Sequence, residues 1–137
     1  SASAFRFVQC TSEHVTPGTV VGRYRIAYED GERADITLVY GWNTVEYARR
    51  HNAPLSHSAY RHVGYRGTYV LDEEWRGYSG CGNPITLYSF DYRNPRPHQR
   101  VESITIEAFD VDVGCALLLF GLRYACSPTG SSDAQSA

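Results

Sequence analysis

Apolar and polar residues alternate along much of this chain, and the alternation predicts a protein built from β-strands. In the segment from Val20 to Tyr28, two arginines point to one face and the large apolar side chains point to the other. The Asp30-Gly31 pair then supplies a tight turn, because glycine accepts the positive φ that such turns need. A second alternating segment, 34–40, follows and completes a predicted β-hairpin. The residues expected on its inward face are Tyr24, Ile26, Tyr28, Ile36, Leu38 and Tyr40.

Alternating segments recur along the chain, separated by turn-rich stretches, and we predict an all-β fold of about seven strands. These strands are 5–9, 20–28, 34–40, 67–71, 85–92, 101–109 and 115–124. The alternation breaks between residues 41 and 66, which read as one long loop with a short helical turn at 45–50. Short strands joined by turns are typical of a two-sheet antiparallel sandwich. We expect a single sandwich domain at 1–126 and a disordered polar tail or linker at 127–137.

Composition narrows the class of protein. The chain has 137 residues, 42% of them hydrophobic, which is enough for one domain with its own core. Its net charge of −2 gives no general attraction to nucleic acid or to an anionic membrane. The longest apolar run, 116–120, is too short to span a bilayer and is interpreted as a buried strand. No signal peptide is evident and the first residue is not Met, so we expect a processed protein or a piece of a longer one.

Four cysteines leave the redox compartment open. None forms a Cys-x-x-Cys pair, so a zinc knuckle is not indicated. Cys10 and Cys126 lie near opposite ends of the domain, and a disulfide between them is one interpretation. Cys115 stands in an apolar run and is interpreted as a buried free thiol. The fourth cysteine is Cys81.

Two prolines interrupt the chain between two predicted strands. Asn94-Pro95-Arg96-Pro97 separates the strand that ends near Tyr92 from the strand that begins at Val101. Proline cannot donate a hydrogen bond to a sheet, and it holds the preceding residue in extended geometry. We therefore interpret this stretch as an element that ends one strand and directs the next, not as a binding site.

Three stretches in a fixed order resemble a known family. They are "VGRYRIAYEDGERADITLVYGWNTVEY", "EEWRGY" and "ITLYSFDYRNPRPHQRVESITIEAF". Together they are similar to the galactose-binding-like jelly-roll domains that are appended to bacterial carbohydrate-active enzymes, over roughly residues 5–122. The resemblance implies a jelly-roll β-sandwich, an extracellular or periplasmic location and, often, carbohydrate binding; many such modules only brace a neighbouring catalytic domain. Related domains carry further strands before the stretch matching 5–9, so an unpaired sheet edge or an assembled oligomer is expected here.

Aromatic residues beside the loops are the best candidates for a sugar site. An exposed aromatic ring can cover the C–H face of a sugar while neighbouring polar groups meet its hydroxyls. The candidate platforms are Trp42, Trp75 and Tyr78, and the candidate hydrogen-bonding residues are Arg76, Asn83 and Asp72. The alternative is that the tryptophans belong to the core, and we favour this alternative for Trp75. The aromatic stripe on the 85–92 strand is also interpreted as core, with Ile85 and Leu87 facing a half-covered outer surface. Its members are Tyr88, Phe90 and Tyr92.

Other candidate chemistry is weaker. Three histidines share one loop region, but their spacing matches no metal-binding motif, and we interpret them as solvated. Glu73 and Glu74 are adjacent, so on a strand they point to opposite faces and cannot flank one glycosidic bond. Asp110 and Asp112 are a candidate calcium pair, with a solvated turn as the favoured interpretation. The histidines are His51, His57 and His62; the candidate arginines for acidic sugars are Arg49, Arg50, Arg61 and Arg66.

The sequence therefore predicts a non-catalytic carbohydrate-binding module or small lectin that needs no cofactor, with structural calcium as an open option. The expected partners are a glycan and, through covalent linkage, a catalytic domain, or a second copy of the chain. Nucleic acid and membranes are not expected partners. The alternative function is a structural or protein-interaction β-sandwich, and an enzyme that uses the histidine-bearing loop is the least favoured hypothesis.

Overall fold

The computed structural model of this protein is all-β. It describes residues 2–49, 61–64, 67–110 and 115–126, with the backbone alone for 61–64 and 67–70. Nine strands occur in these residues and no helix does. They are β1 (Ala2–Thr11), β2 (Val20–Tyr28), β3 (Arg33–Val39), β4 (Arg61–Gly64), β5 (Gly67–Val70), β6 (Asp72–Tyr78), β7 (Pro84–Arg93), β8 (Val101–Ala108) and β9 (Leu117–Cys126).

Two antiparallel sheets form the layers of a β-sandwich. The larger sheet has the strand order β6-β7-β1-β9, and the smaller has the order β3-β2-β8. A separate two-stranded ladder pairs β4 with β5. All three sheets are antiparallel along their named strands. The predicted all-β sandwich architecture is thus confirmed at the level of two antiparallel sheets.

The predicted hairpin is confirmed as β2 and β3. Gly31 has a φ of 92°, which is the left-handed conformation that the turn requires. The backbone N–H of Tyr28 donates to the carbonyl of Glu32 at 2.9 Å and closes the turn. All six residues predicted to face inward are at most 1% exposed. On the opposite face, Arg25 forms a bidentate ion pair with Asp35, with Nε–Oδ1 at 2.9 Å and Nη2–Oδ2 at 3.1 Å.

The core lies between the two sheets and is centred on stacked aromatic rings. The ring of Phe7 on β1 lies 4.2 Å from the ring of Tyr24 on β2, centroid to centroid, with an interplanar angle of 18°. The same phenylalanine stacks on Phe90 of β7 at 5.3 Å. Tyr88 and Phe90 are buried and Tyr92 packs against them, so the interpretation of the β7 stripe as core is confirmed.

The proline-bearing stretch ends β7 and is followed by β8, as predicted. The residue of this stretch that anchors it to the rest of the fold is Asn94, which is only 2% exposed. The Asn94 side-chain amide donates to the carbonyl of Ala2 at 2.7 Å, and its oxygen accepts from the Tyr28 hydroxyl at 2.6 Å. The same oxygen accepts the backbone N–H of Arg96 at 2.9 Å. One buried amide therefore ties the start of β1 and the ends of β2 and β7 together.

Two local predictions are wrong. No helical turn forms over 45–49: the N–H of Tyr47 bonds to Thr11 and its carbonyl accepts from Thr86, so this segment is held in extended form beside the sheet. A Cys10–Cys126 disulfide is also excluded, because both thiols are free. Cys126 pairs with Ala2, while Cys10 lies eight residues further along β1, about 26 Å away at roughly 3.3 Å per residue.

Candidate functional site on the outer face of the larger sheet

The outer face of the larger sheet carries an apolar groove. On β1, Phe5 and Phe7 face the core, so the next residue, Val8, faces outward. On β7, Tyr88 and Phe90 face the core, and Ile85 and Leu87 face outward. The groove has a volume of about 720 Å³. We name it the apolar groove, and it is lined by Val8, Tyr47, Trp75, Ile85, Leu87, Leu118, Phe120, Gly121 and Arg123. Its volume falls within the range of small-molecule sites.

Trp75 provides the largest exposed aromatic surface of the apolar groove. A register irregularity between Glu73 and Trp75 directs the Trp75 side chain to the outer face, opposite Leu87. Its indole lies directly over Gly77, where a Cβ atom would stand only 2.2 Å from Cη2 of the ring. The absence of a side chain at position 77 lets the indole lie close to the strand. Trp75 is 51% exposed, so our preference for a core position is wrong.

A network of charged side chains borders the apolar groove. Arg6 forms a bidentate ion pair with Asp91, with Nε–Oδ1 at 2.8 Å and Nη2–Oδ2 at 3.0 Å. Arg123, which also lines the groove, donates to Glu74 at 2.7 Å. Arg6 lies 3.6 Å from the other oxygen of Glu74 and so joins the two pairs. The result is a fixed set of charged donors and acceptors beside an aromatic surface.

These contacts set the protonation states of the network. The hydrogen bond from Arg6, followed by its charge, lowers the pKa of Asp91 below its usual value. The hydrogen bond from Arg123 lowers the pKa of Glu74 against the opposing effect of desolvation. Both carboxylates are therefore ionised at neutral pH, where they can accept hydrogen bonds but cannot act as general acids.

Four of the predicted site residues divide between two faces of the β6–β7 hairpin. Trp75 is on the outer face, and Asp72 lies beside the Arg6 network, whose arginine pKa it helps to raise. Arg76 and Tyr78 follow at alternating positions and point the other way; Arg76 is paired with Glu73 at 2.7 Å. Glu74 bonds to Arg123 instead, so the prediction that the adjacent glutamates face opposite sides is confirmed.

The two remaining predicted residues lie in turns. Asn83 closes the β6–β7 turn, where its backbone N–H donates to the Ser79 hydroxyl at 3.1 Å and its carbonyl accepts from the Ser79 N–H at 2.8 Å. Trp42 is half-buried in the turn after β3, which is an edge strand of the smaller sheet. It is not among the residues that line the apolar groove. The structure thus brings Trp75 and Asp72 to one surface and places Trp42 elsewhere.

Several of the other candidate residues lie outside the described residues, namely His51, His57, Arg50, Arg66 and Asp112. For His62 and Arg61 the structure describes the backbone but not the side chain. Within the described residues, no group of three or more His, Cys, Asp or Glu side chains could hold a metal ion. Arg49 is engaged in the fold: it pairs with Glu46 at 3.3 Å, and the Tyr40 hydroxyl donates to the same carboxylate oxygen at 2.5 Å. No helix of the described residues is both long and apolar enough to cross a membrane.

Sequence reasoning missed the contribution of β9. The apolar run 116–120 was expected to be a buried strand, yet Leu119 is 43% and Phe120 53% exposed. The run is apolar on both faces because Leu118 and Phe120 line the apolar groove while Leu117 packs against the core. The prediction of a buried strand is therefore wrong: the run is apolar on both faces, but its outer face lines an open groove instead of a covered core.

Comparisons with protein-family models, with curated proteins and with solved structures found no match to this chain.

Proposed function

We propose that this protein is a non-catalytic carbohydrate-binding module that holds a glycan across the outer face of its larger sheet. The observation that carries the proposal is the position of Trp75, which is half-exposed, rests on Gly77 and lines a groove of about 720 Å³. An indole supported from below by the sheet offers its outer face to the C–H surface of a sugar ring. Little side-chain freedom is lost on binding, because the sheet already holds the ring.

The charged network supplies the polar half of the proposed site. Sugars present hydroxyls at the edge of each ring, and charge-assisted hydrogen bonds to them are the strong ones. Arg123 lines the apolar groove itself, and Glu74 and Asp91 are held beside it by arginines at 2.7 to 2.8 Å. Groups fixed in this way are preorganised, so a ligand need not order them.

The type of module follows the resemblance of its three motifs. We propose that the two sheets belong to a jelly roll of the galactose-binding-like kind, attached to a carbohydrate-active enzyme outside the cell or in the periplasm. In this role the chain itself performs no chemistry and needs no cofactor. A structural calcium ion is compatible with the role but has no part in the proposed binding.

A comparison of the two tryptophans tests the function. Binding of soluble glycans is first screened on an array and then measured by calorimetry for the unchanged chain, Trp75→Ala and Trp42→Ala. We expect Trp75→Ala to weaken binding by about tenfold or more, which corresponds to about 1.4 kcal/mol. Trp42→Ala should leave affinity unchanged, because Trp42 does not line the apolar groove. No binding to any glycan, or equal losses in both variants, would contradict the proposal.

A second candidate function is a protein-interaction domain. The observation in its favour is that four of the nine residues lining the apolar groove are aliphatic, namely Val8, Ile85, Leu87 and Leu118. Aliphatic groups add little to sugar stacking but are common in protein interfaces. Co-purification of a stable protein complex that is lost in both Leu87→Ser and Trp75→Ala, without glycan binding, would favour this function instead.

A further inference from the structure

The two sheets of the sandwich end together on one side, and both ends are apolar. β9 is the last strand of the larger sheet and β8 the last strand of the smaller. Between them lies a cleft of about 590 Å³. We name this surface the open side, and its cleft is lined by Ala2, Phe5, Arg100, Val101, Ile104, Leu122, Tyr124 and Cys126.

Side chains that belong to the core are half-exposed along the open side. Leu122 and Tyr124 pair with Phe7 and Phe5 of β1, so they share the inward face of the sheet. Leu122 is nevertheless 39% exposed and Tyr124 68%. On the facing strand β8, Ile106 pairs with the fully buried Tyr24 but is 38% exposed. The core thus continues to the edge of the sandwich with nothing over it in the described residues.

The edge of β9 is also poorly protected against pairing. Exposed edge strands are usually blunted by charges, by proline or by irregular backbone. The pairing of β9 with β1 has two register irregularities, between Ala2 and Ala4 and between Val8 and Gln9. Over its ten residues, β9 has one charged residue, Arg123, which is already paired with Glu74. No lysine or proline occurs in the strand. Among the described strands, β9 pairs only with β1, so the N–H and C=O groups along its other edge can accept another strand.

We propose that the open side is the interface of a two-fold symmetric dimer of this chain, in which β9 pairs antiparallel with β9 of a second copy. The geometry favours a second copy over a single added strand, because two sheet edges, β8 and β9, are open together in the part of the chain that the structure describes. One peptide strand can extend only one sheet, whereas a second copy presents its own β9 and β8 together and meets both sheets. Two-fold symmetry also makes the contact closed, so that no further copies add.

The dimer agrees with the charge and surface pattern of β9. Because Arg123 is neutralised within its own chain, two β9 strands bring no unpaired like charges together. Leu119, Leu122 and Tyr124 of each copy would be buried against the same row of the other. The proposed contact also places the two apolar grooves on one continuous sheet face, since Phe120 of β9 belongs to the groove. The inference does not depend on the proposed carbohydrate binding.

Two tyrosines provide a matched test. Tyr124 and Tyr78 are 68% and 67% exposed and lie on the two opposite edge strands of the same sheet. Sedimentation velocity and light scattering of the 137-residue chain, over about a hundredfold range of concentration, should show a dimer that dissociates on dilution. We expect Tyr124→Lys to be a folded monomer and Tyr78→Lys to remain a dimer, with circular dichroism checking the fold of both.

A second variant and a second measurement guard against misfolding. If Tyr124→Lys loses its fold, Leu119→Lys replaces it, because Leu119 is 43% exposed on the same strand. Amide hydrogen exchange should slow along Leu117–Cys126 as concentration rises, while the β6 edge is unaffected. A monomer at every concentration, open-ended assemblies, or a dimer that survives both Tyr124→Lys and Leu119→Lys would overturn the proposal.

Discussion

The hydroxyl of Tyr28 donates a 2.6 Å hydrogen bond to Oδ1 of Asn94, and this bond joins the end of β2 to the residue that follows β7. The two residues are 1% and 2% exposed, so the bond is shielded from water. Tyr24, four residues earlier on the same strand and 0% exposed, has a buried hydroxyl with no hydrogen-bond partner among the described residues. Two buried tyrosines of one strand therefore differ in the hydrogen bonding of their hydroxyl groups.

Tyr28→Phe and Tyr24→Phe should change stability in opposite directions. Tyr28→Phe leaves the buried Asn94 oxygen with one donor fewer, and we expect a loss of about 1 kcal/mol in the free energy of unfolding. Tyr24→Phe removes a polar group that is buried without a partner, and we expect a gain of up to about 1 kcal/mol. Urea unfolding followed by circular dichroism measures both. Equal losses in the two variants would show that the Tyr24 hydroxyl is satisfied in solution, for example by a buried water.

A side chain at position 77 should displace the Trp75 indole. A Cβ there would stand 2.2 Å from Cη2 and 2.6 Å from Cζ2 of the ring, so the half-exposed indole must swing away. In a Trp42→Phe background, where Trp75 is the only tryptophan, Gly77→Ala should shift fluorescence to longer wavelength and raise acrylamide quenching. We expect a stability loss of about 1 kcal/mol or less, because the moved group is at the surface.

Gly80→Ala is the matched control for this change. Gly80 lies in the turn of the same hairpin, and a Cβ there meets no atom within 4 Å. The Gly80 variant should leave Trp75 fluorescence as it is. Identical spectra for Gly77→Ala and the unchanged chain would contradict the placement of the indole on Gly77.

Local alternation was sufficient to predict the best-defined parts of this fold. The β2–β3 hairpin followed from alternate residues such as Tyr24 and Arg25 and from the Asp30-Gly31 turn, because both signals lie within one short segment. The stripe on β7 was predicted as core for the same reason. The strand β6 was not predicted, since its sequence, DEEWRGY, is polar and contains a register irregularity. A bulge breaks the period of two, and an edge strand has little to bury.

The candidate site could be predicted only in part, because it depends on which strands become neighbours. Trp75 and Arg76 are adjacent in sequence and point to opposite sides of the strand, yet only the pairing of β6 with β7 determines which of them faces the apolar groove. Phe120 reaches the groove because β9 returns beside β1, which joins residues more than a hundred positions apart. Such long-range pairing leaves no local signal, so the sequence favoured Trp42, which lies outside the groove.

Acid should weaken the protein partly through the charged network. Because Arg6 lowers the folded-state pKa of Asp91, ionised Asp91 stabilises the fold at pH values above its unfolded pKa of about 3.9. That contribution is lost as pH falls through the lower, folded-state pKa. Asp91→Asn should therefore destabilise the protein at pH 7 by about 1 kcal/mol or less, because the Asp91 side chain is 57% exposed. The effect should shrink as the pH is lowered toward 2.

Urea unfolding of the unchanged chain and of Asp91→Asn between pH 7 and 2 measures this difference. High salt should shrink it at pH 7, since exposed pairs are screened. Asp110→Asn removes a carboxylate at an exposed position after β8 that has no ion pair among the described residues. It serves as the control and should leave stability at pH 7 unchanged. A destabilisation by Asp91→Asn that persists unchanged at pH 2 would mean that packing, not charge, is responsible.

The four thiols should differ sharply in reactivity. Cys10 is 0% exposed and its Sγ contacts the carbonyl of Thr86 at 3.9 Å; burial raises its pKa to about 11. Since the thiolate is the reacting form, Cys10 should not react with a disulfide reagent at pH 8 until the protein unfolds. Cys81 and Cys126 are exposed and should react at once, and the half-buried Cys115 more slowly.

Ellman titration of the native and urea-unfolded chain measures these classes. A variant with serine at positions 81 and 126 should lose the fast phase and keep the thiol that is released on unfolding. Under denaturing conditions the unchanged, freshly reduced protein should show four thiols. Rapid modification of Cys10 in the folded protein would contradict its complete burial and the contact of its Sγ with the Thr86 carbonyl.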